Sequence, residues 1–391
     1  MDTQSTPRPP YGLQRQNQIY MAGLQGHLPR LPVSSEALEQ AANEAMSKNA
    51  SGYLSGMDES MRSNREAFRR WYIVPRMLQN VEMRDLSIEL FNKRYPAPFL
   101  LAPIGVQSIV HPDGEIGVAR AAASLGIPLI FSTASTAPLE QIAQAMGDAP
   151  RWFQLYWSKN ADFNASVVAR AEQAGCEAIV VTLDTRLLAW RPQDIQNAYL
   201  PFLLGQGIGN YLSDPAFRSA LARPPEDDPQ AAILYFLQIF SNPALTWQDL
   251  SVLRAQTKLP ILLKGILHPD DARQAIDAGM DGIIVSNHGG RQVQGAIASL
   301  DALPAVVKAV QGQVPILMDS GIRQASDVIK AMALGARGVL LGRPYMWGLA
   351  LGGEQGVQEV LSNFMADLDL TLALSGYASF AQINTSTIVR T

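Results

Sequence analysis

Cysteine and histidine are both scarce in this sequence. Cys176 is the single cysteine, and only four histidines occur in 391 residues. One cysteine excludes a disulfide framework within the chain and fits a reducing compartment. Cys176 itself is expected to be a small buried packing residue. No grouping of Cys, His and Asp has the spacing of metal ligands, so no metal site is predicted.

An excess of basic charge and long apolar runs are absent as well. Lysine and arginine total 31 against 35 acidic residues, which gives a net charge of −4. This balance provides no basic field for nucleic acid. No uninterrupted apolar run approaches the roughly 20 residues that a membrane helix needs. Residues 1–20 are polar and proline-rich, without the apolar core of a signal peptide. We therefore expect a cytoplasmic protein that binds neither nucleic acid nor membrane.

A regular alternation of apolar runs and helix-like segments begins near Pro98. Because 47% of the residues are hydrophobic, the chain can form a large core. The helix-like segments include 115–125, 162–174, 269–278, 325–334 and 354–374. The strand-like runs lie at 99–102, 128–131, 152–156, 178–184, 261–264, 282–285, 316–319 and 338–342.

Eight strand–helix repeats predict an α/β fold, a single closed (β/α)8 TIM barrel over residues 98–391. The alternative is a doubly wound open sheet. That fold needs a glycine-rich turn after its first strand, and the turn at residues 102–105 lacks the G-x-G-x-x-G pattern.

Two segments precede the barrel. Residues 1–33 are rich in Gln, Pro and Arg and are expected to form an N-terminal arm that wraps a neighbour or stays mobile. Residues 34–97 are expected to be a helical extension, whose first helix spans 36–46 with Ser34 or Ser35 as its N-cap.

One insert interrupts the barrel. Strands four and five are separated by residues 185–260, far more than one helix requires, with many Gly and Pro around apolar patches. A long insert at the catalytic end of a barrel is most often a lid or an oligomer contact. We assign the lid to residues 199–245.

Polar residues or glycines lie at or just beyond the ends of these strands. In a parallel barrel such side chains converge on one mouth, where barrel enzymes place their chemistry. One polar residue at a strand end can be a simple cap, but capping alone explains eight such ends poorly. The residues are Pro103, Ser132, Gln154, Tyr156, Thr182, Asp184, Lys264, Ser286, His288, Asp319, Gly321, Gly342 and Arg343.

The most informative stretch is residues 286–292, Ser-Asn-His-Gly-Gly-Arg-Gln, which follows the buried run 282–285. His288 can accept a proton near neutral pH. Arg291 can hold a carboxylate with two parallel hydrogen bonds. The two glycines between them allow the backbone to approach a ligand closely. A base and a carboxylate clamp in one loop suggest an enzyme that deprotonates a small organic acid.

The loops after the last two strands predict a phosphate site. Residues 319–323 and 342–344 supply glycine amides together with Arg323 and Arg343. Barrels commonly bind phosphate at this position. Lys264 ends strand five at the same mouth, which implies a phosphate-bearing cofactor with a second negative region. The alternative, that both arginines form ordinary surface ion pairs, is weaker because both follow glycine-containing turns at adjacent strand ends.

These motifs resemble the FMN-dependent 2-hydroxy-acid oxidizing family, which includes glycolate oxidase and lactate oxidase. The resemblance covers residues 31–374, and within the family the lactate 2-monooxygenase type is most similar. The family motifs lie at 263–266, 268–272, 286–292, 319–323 and 342–344. Those shared with the lactate 2-monooxygenase type include 68–71, 75–78, 102–106, 183–185, 190–192, 210–211 and 343–345.

The resemblance implies a role for each site residue. His288 is the general base and Asp184 stabilises its protonated ring. Tyr156 binds the substrate hydroxyl, while Tyr53, Arg191 and Arg291 bind the substrate carboxylate. Lys264 lies beside flavin N1 and the C2 carbonyl. The other implied FMN contacts are Pro103, Ile104, Gly105, Ser132, Gln154, Thr182, Ser286, Asp319, Ser320, Gly321, Arg323, Gly342 and Arg343.

Three positions depart from the pattern of the oxidases. Ala134 stands where the resemblance leads us to expect an aromatic residue over the substrate side chain, and Leu200 stands at the aromatic position of the lid in lactate oxidase. Gly105 near flavin N5 is as small as possible. These changes leave room for a 2-hydroxy acid bulkier than lactate. Small residues near N5 also govern the space for oxygen.

The resemblance implies a homo-oligomeric enzyme, a tetramer or octamer, that oxidises an L-2-hydroxy acid with O2 and decarboxylates the product, as lactate 2-monooxygenase does. An oxidase that releases 2-keto acid and H2O2 is the alternative. A dehydrogenase is a further one, although no haem domain or membrane segment supports it. From a different class, an inactive barrel scaffold would predict loss of the base or a clamp arginine, and both are present.

Overall fold

The computed structural model describes residues 11–391. Its strands are β1 (Trp71–Ile73), β2 (Ile88–Leu90), β3 (Lys93–Tyr95), β4 (Phe99–Leu101), β5 (Leu129–Ser132), β6 (Arg151–Leu155), β7 (Ile179–Thr182), β8 (Ile261–Ile266), β9 (Gly282–Val285), β10 (Ile316–Met318), β11 (Gly338–Leu341) and β12 (Ile388–Arg390).

Its helices surround these strands. They are α1 (Tyr11–Leu24), α2 (Ser35–Ala45), α3 (Lys48–Leu54), α4 (Asp58–Arg69), α5 (Gly114–Ser124), α6 (Leu139–Met146), α7 (Ala161–Gln173), α8 (Pro192–Gln196), α9 (Gly209–Leu212), α10 (Pro215–Ser219), α11 (Pro229–Phe240), α12 (Leu250–Gln256), α13 (Pro269–Asp277), α14 (Ser299–Val310), α15 (Ala325–Ala333) and α16 (Arg343–Leu374).

The predicted barrel is confirmed. Strands β4 to β11 form a closed parallel barrel within residues 11–391, each strand paired with the next in the chain and β11 paired with β4. All eight runs expected from the sequence are strands, with ends that differ by at most two residues. The register pairs Ser132 with Gln154 and Thr182 with Lys264, which brings polar residues of neighbouring strands to one level.

The barrel interior contains an apolar layer below a layer of polar and small residues. Because side chains alternate along a strand, residues two apart point the same way. The apolar layer is one buried cluster that includes Leu100, Ile130, Trp152, Val180, Leu262, Ile284, Leu317 and Leu340. Two residues further along each strand lie Ala102, Ser132, Gln154, Thr182, Lys264, Ser286, Asp319 and Gly342. The strand period therefore explains why the polar residues face the mouth together.

A hairpin closes the opposite end of the barrel. Strands β2 and β3 pair antiparallel, and their Ile88, Leu90 and Tyr95 join the apolar cluster of the interior. Trp152 donates its ring N–H to the Tyr95 hydroxyl at 3.3 Å. Since this end is filled, a ligand can enter only from the carboxyl ends of the strands.

The described part of the N-terminal arm contains helix α1, and the expectation that the arm wraps a neighbour stays a prediction. Residues 1–10 lie outside the described residues. Helix α1 packs on α16 of the same chain, and the backbone N–H of Gly12 donates to Asp369 at 2.8 Å. A side chain at Gly12 would overlap Leu370, so the contact requires glycine. This helix was hard to predict because its segment is polar and its partner helix lies more than 300 residues away in the chain.

Helix α2 begins where the sequence predicts, since Ser34 caps it through the backbone N–H of Ala37. Helix α16 begins at Arg343, earlier than the predicted start at residue 354, and is kinked at Gly352 and Gly353. These two glycines concealed the first part of the helix in the sequence. Across residues 11–391, no helix combines the length and apolar character needed to cross a bilayer.

The insert between β7 and β8 has two unlike parts. Residues 186–199, the insert rim, expose large apolar side chains such as Leu187 and Trp190. Residues 200–240, the insert wall, form a packed layer against the barrel. Its ring pairs link Phe202 with Phe236 and Phe240, and Tyr211 stacks on Phe163 of α7 at 4.1 Å between ring centroids. The predicted lid, 199–245, therefore coincides largely with the packed part of the insert.

Candidate active site

A cavity of about 970 Å³, including its open mouth, lies at the carboxyl ends of the barrel strands. It brings together residues from all eight barrel strands or the loops that follow them, from the N-terminal extension and from the insert. The predicted site residues that line it are Tyr53, Pro103, Ile104, Gly105, Tyr156, Arg191, Lys264, His288, Arg291, Asp319, Ser320, Gly321, Arg323, Gly342 and Arg343.

The other predicted site residues lie beside the cavity without forming its surface. Ser132, Gln154, Thr182 and Ser286 belong to the buried polar layer, and Asp184 lies behind His288. All of them are at the same end of the barrel, as the strand-end pattern indicated.

His288 is held by Asp184. The ring atom Nδ1 lies 2.8 Å from Asp184 Oδ1 and 3.2 Å from the Thr185 hydroxyl. His288 has a left-handed backbone conformation, with φ of 58°, which is uncommon outside glycine. Its backbone N–H donates to Ser286 Oγ at 3.0 Å, which fixes this turn. Because Nδ1 is engaged, the unpaired Nε2 is the atom available to a substrate.

The protonation states of this pair suit a base. Burial lowers the pKa of His288 below its usual value, and the opposing effect of Asp184 does not fully restore it. Burial alone would raise the pKa of Asp184, but the His288 ring, Lys264 and the Thr185 hydroxyl outweigh it and hold this pKa at about 2. At neutral pH the ring is therefore neutral, and the carboxylate beside it is ionised.

Two arginines line the same region. Arg291 donates to the backbone carbonyls of Tyr53 and Ser55, and its guanidinium lies 5.0 Å from the centre of the Tyr53 ring. Arg191, from the insert rim, donates to Gln292 Oε1 at 2.6 Å. Burial and the charge of Arg191 lower the pKa of Arg291 to about 10, so Arg291 remains cationic at neutral pH. Their mutual repulsion favours an anion bound between them.

Lys264 is an ammonium buried in the polar layer with its counter-charge. Its Nζ lies 3.2 Å from Asp319 Oδ2 and donates to Ser286 Oγ at 3.0 Å. Burial opposes the charge, but Asp319 and Asp184 raise the pKa of Lys264 above its usual value. The site therefore holds a permanent positive charge at its base.

Two buried polar atoms near Lys264 have no hydrogen-bond partner among residues 11–391, namely Gln154 Nε2 and Thr182 Oγ1. Leaving a buried donor or acceptor unpaired costs about 1–3 kcal/mol. Gln154 Oε1 accepts from the Ser132 hydroxyl at 3.2 Å, which turns Nε2 away from that strand. Both atoms are placed to bind a polar ligand that lies across the strand ends.

The far end of the cavity carries cations without counter-ions. In the described chain, neither Arg323 nor Arg343 forms an ion pair with a carboxylate. Arg343 donates to the carbonyls of Leu54 and Gly289, and Arg323 lies 4.8 Å from the centre of the Trp347 ring. Burial lowers the pKa of Arg323 to about 10 and, together with Arg323 itself, that of Arg343 to about 9. Both are charged at neutral pH and suit a dianionic ligand.

The chain matches known proteins over most of its length. The family model of FMN-dependent dehydrogenases matches residues 42–390. An L-lactate oxidase of Lysinibacillus sphaericus (strain C3-41) is 47% identical over 362 residues, which cover 92% of this chain and 93% of that protein. An FMN-dependent alpha-hydroxy acid dehydrogenase of Schizosaccharomyces pombe (strain 972) is 44% identical over 376 residues, covering 93% and 92%.

The crystal structure of mandelate oxidase with (S)-4-hydroxymandelic acid superposes with a TM-score of 0.80 at 38% identity, covering 90% of this chain and 97% of that one. The chain belongs to the FMN-dependent 2-hydroxy-acid oxidizing family. Its cofactor is FMN, as the sequence motifs implied.

The cavity fits the cofactor of this family. A flavin ring needs hydrogen-bond partners along its polar edge and a cation near N1. Gln154 and Thr182 would supply the hydrogen bonds, since Gln154 Nε2 and Thr182 Oγ1 have no partner among the described residues, and Lys264 would supply the cation. A phosphate needs backbone amides and guanidiniums, which the loops around Gly321 and Arg343 supply. When bound, FMN supplies the two-electron acceptor that the side chains lack.

Several residues of this family site were not identified from the sequence. Thr185 contacts His288, while Leu188, Phe202 and Phe240 form an apolar part of the cavity with Ala134. Thr185 follows Asp184 directly, so the strand end pointed to it. Phe202 and Phe240 lie in the insert and reach the cavity through contacts distant in sequence. Within the described residues, no group of three or more His, Cys, Asp or Glu side chains is arranged to bind a metal.

Proposed function

We propose that this protein oxidises 2-hydroxy acids with a bulky apolar side chain at FMN and passes the electrons to O2. The observation that carries the proposal is the neutral His288, with a free ring nitrogen, in one cavity with two cationic arginines. A base and a carboxylate clamp are the two functions that removal of the C2 hydrogen of a 2-hydroxy acid requires.

His288 acts as the base. Its Nε2 accepts a proton from the substrate, and the Asp184 carboxylate stabilises the imidazolium that results. The pairing at 2.8 Å also fixes which nitrogen faces the substrate. Burial raises the pKa of Tyr156, which keeps its hydroxyl protonated as a donor to the substrate oxygen.

Arg191 and Arg291 bind the carboxylate. Tyr53 supplies a third donor, because burial raises its pKa and keeps its hydroxyl protonated. Arg191 belongs to the insert rim and Arg291 to the loop after β9. A bound carboxylate therefore contacts both the rim and the barrel. We infer that any lid movement belongs to the insert rim and not to the insert wall, where the rings of Phe202, Phe236 and Phe240 pack together.

The substrate side chain extends toward Ala134, Phe202 and Phe240. Phe240 packs edge-on against Tyr156 at 5.4 Å between ring centroids, so an apolar wall adjoins the hydroxyl-binding residue. An aromatic side chain would pack here better than the methyl group of lactate. The mandelate oxidase structure with (S)-4-hydroxymandelic acid supports an aromatic substrate for a closely similar fold.

A panel of 2-hydroxy acids tests this substrate class. We expect kcat/KM for (S)-mandelate to exceed that for L-lactate by about tenfold or more, since a single methylene in an apolar pocket is worth roughly 10–200-fold. Oxygen consumption and artificial dye reduction, measured side by side, separate an oxidase from a dehydrogenase. A preference for lactate, or reduction of dyes without oxygen consumption, would contradict the proposal.

Oxidative decarboxylation is the second candidate. The named relatives above include an oxidase and a dehydrogenase, so release of keto acid and H2O2 is proposed first. The apolar side chains of Leu188, Phe202 and Phe240 nevertheless line the part of the cavity that would hold the substrate side chain, which favours retention of the keto acid. A retained keto acid reacts with H2O2 to give a shortened carboxylic acid, CO2 and water. The ratio of CO2 to H2O2 per substrate consumed separates the two outcomes.

A further inference from the structure

Asn210 stands out among the residues of the insert wall that the proposed chemistry does not use. It is completely buried, and its side-chain hydrogen bonds reach outside the insert. Its amide Nδ2 donates to the carbonyls of Ser132 and Thr133, both at 3.1 Å, and to Ser135 Oγ at 2.9 Å. Its Oδ1 accepts from the backbone N–H of Leu139 at 2.8 Å.

These partners belong to one segment, residues 132–137, which we call the β5 loop, or to the helix that follows it. The insert backbone contacts the same loop, because Gly209 N–H donates to Ser135 O at 2.9 Å. A Cβ atom at Gly209 would lie 2.1 Å from the Thr136 carbonyl oxygen. The backbones of the insert and the β5 loop therefore lie so close together at Gly209 that only glycine fits there.

From the opposite side, the barrel fixes the same loop. The buried carboxylate of Glu115 accepts from Thr136 N–H at 2.9 Å and from Gln107 N–H at 3.1 Å. The β5 loop is thus held between Glu115 on one side and Asn210 on the other. Neither residue lines the cavity, so their contacts act on the cavity only through the loop.

The centre of this loop is Ala134, which lines the apolar part of the cavity. Its carbonyl accepts from Val106 N–H at 2.9 Å, and a Cβ atom at Gly105 would lie 2.6 Å from that oxygen. A shift of Ala134 must therefore move Gly105 and Val106 too, or break this hydrogen bond. The position of Ala134 relative to Phe202 and Phe240 sets the space for the substrate side chain.

We propose that Asn210 is a positioning residue that sets substrate side-chain selectivity by fixing the β5 loop, and with it Ala134. The inference rests on the proposed oxidation of 2-hydroxy acids for its substrate class. An amide suits this role because it combines donors for several oxygens with an acceptor for one N–H. A carboxylate would set negative charge against two carbonyls and a hydroxyl, while an apolar residue would leave all of them unpaired.

The test compares three variants of the FMN-loaded enzyme. Asn210→Asp removes the donors with little change in volume. Ser135→Ala removes one acceptor of Asn210 and is the milder change. Ser213→Ala is the matched control, because its hydroxyl bonds only Arg170 and its own helix backbone. It weakens the attachment of the insert without touching the β5 loop.

The readout is the ratio of dissociation constants for benzoylformate and pyruvate, two keto acids that cannot be oxidised at C2, followed by the change in flavin absorbance. We expect the preference for benzoylformate to fall by about tenfold in Asn210→Asp, comparable to the loss of one methylene of pocket fit. A smaller fall of about twofold to threefold is expected in Ser135→Ala, which loses the bond from Asn210 and the bond that the Ser135 hydroxyl donates to the Ala137 carbonyl, but keeps the other Asn210 contacts. The ratio should stay unchanged in Ser213→Ala even if its Tm falls.

If the ratio of the two dissociation constants is unchanged in both Asn210→Asp and Ser135→Ala and only the Tm falls, the proposal is overturned and Asn210 is a structural residue. If Asn210→Asp does not fold, Ser135→Ala decides the question alone. The binding ratio is independent of turnover. A wild type that binds both keto acids but oxidises no 2-hydroxy acid would contradict the proposed function without affecting this test.

Discussion

The two ends of the active-site cavity are built on opposite electrostatic principles. At the base end, His288 is paired with Asp184 at 2.8 Å and the Lys264 ammonium with Asp319 at 3.2 Å. At the phosphate end, Arg323 and Arg343 form no ion pair with any carboxylate in the described chain. The base and the buried ammonium therefore have their partners before a ligand binds, whereas the two arginines of the phosphate end gain an anionic partner only from the ligand.

This difference indicates which end performs chemistry and which end binds. A base must be oriented and in the correct protonation state before the substrate arrives, so its partners belong to the protein. A phosphate-binding site gains affinity if its cations are not already neutralised. The apolar layer beneath the base end, and the hairpin that closes the barrel below it, keep water from reaching the buried charges from that side.

The largest expected effect concerns the base end. Replacing His288 with Gln should slow flavin reduction by about 10²–10⁴-fold, the usual contribution of a positioned base. FMN content should stay normal, because His288 does not belong to the phosphate end. Rapid-mixing absorbance under anaerobic conditions measures the rate, with the exposed His27→Gln as a control. Near-normal reduction would show that another residue takes the proton.

Stability of the apo-protein should distinguish the two ends. Lys264→Met leaves Asp319 buried without its counter-charge, and removing one partner of a buried pair costs about 3–5 kcal/mol. Arg323→Met removes a cation that has no such partner, so the free energy of unfolding should change by about 1 kcal/mol or less, as for weakly paired charges. Urea unfolding of both variants without FMN provides the comparison.

For FMN affinity, in contrast to stability, we expect a large effect from the variant at the phosphate end. Arg323→Met should weaken FMN binding by about 10–100-fold, since a hydrogen bond to a charged group is worth about 1.5–3 kcal/mol. Quenching of flavin fluorescence on titration of the apo-protein measures this affinity, with exposed Arg337→Met as the control. Equal stability losses in Lys264→Met and Arg323→Met, with unchanged FMN affinity in the latter, would contradict the distinction between the ends.

A smaller effect is expected at the carboxylate clamp. Arg291→Lys should raise KM by about tenfold with a lesser change in kcat, because an ammonium cannot reproduce the two parallel hydrogen bonds of a guanidinium. The backbone carbonyls of Tyr53 and Ser55 would retain one donor from lysine, so the fold should persist. A large fall in kcat at unchanged KM would show that Arg291 acts on the transition state instead.

The smallest effect is a pH dependence. Burial lowers the pKa of His288, and the base acts only when neutral, so kcat/KM should rise with pH through a limb below about 6.5, the ordinary value, and level off above it. The same shift means that protonation favours the unfolded chain, so stability should fall as pH drops below about 6.5. If kcat/KM still rises with pH above 7, and does so in His288→Gln as well, the titrating group is not His288.

The barrel and most of its polar layer could be predicted because their signals are local. Strand alternation places Gln154 two residues beyond Trp152 and Lys264 two beyond Leu262, so a period of two suffices. Helix α1 and the hydrogen bonds of Asn210 could not be predicted, since each depends on contacts with segments that are distant in sequence. The lid assignment to residues 199–245 stays a prediction. The division of the insert into a rim and a wall could not be predicted, because Gly and Pro mark turns whether the segment between them is loose or packed.

We propose above that a 2-hydroxy acid reduces the FMN of this protein at a site where His288 takes the proton. The most direct measurement mixes the purified, FMN-loaded protein with (S)-mandelate in the absence of oxygen and follows the flavin absorbance. We expect the yellow colour to bleach in the wild type, to bleach far more slowly in His288→Gln, and to return when oxygen is admitted. Flavin that stays oxidised with mandelate, lactate and every other 2-hydroxy acid tried would contradict it.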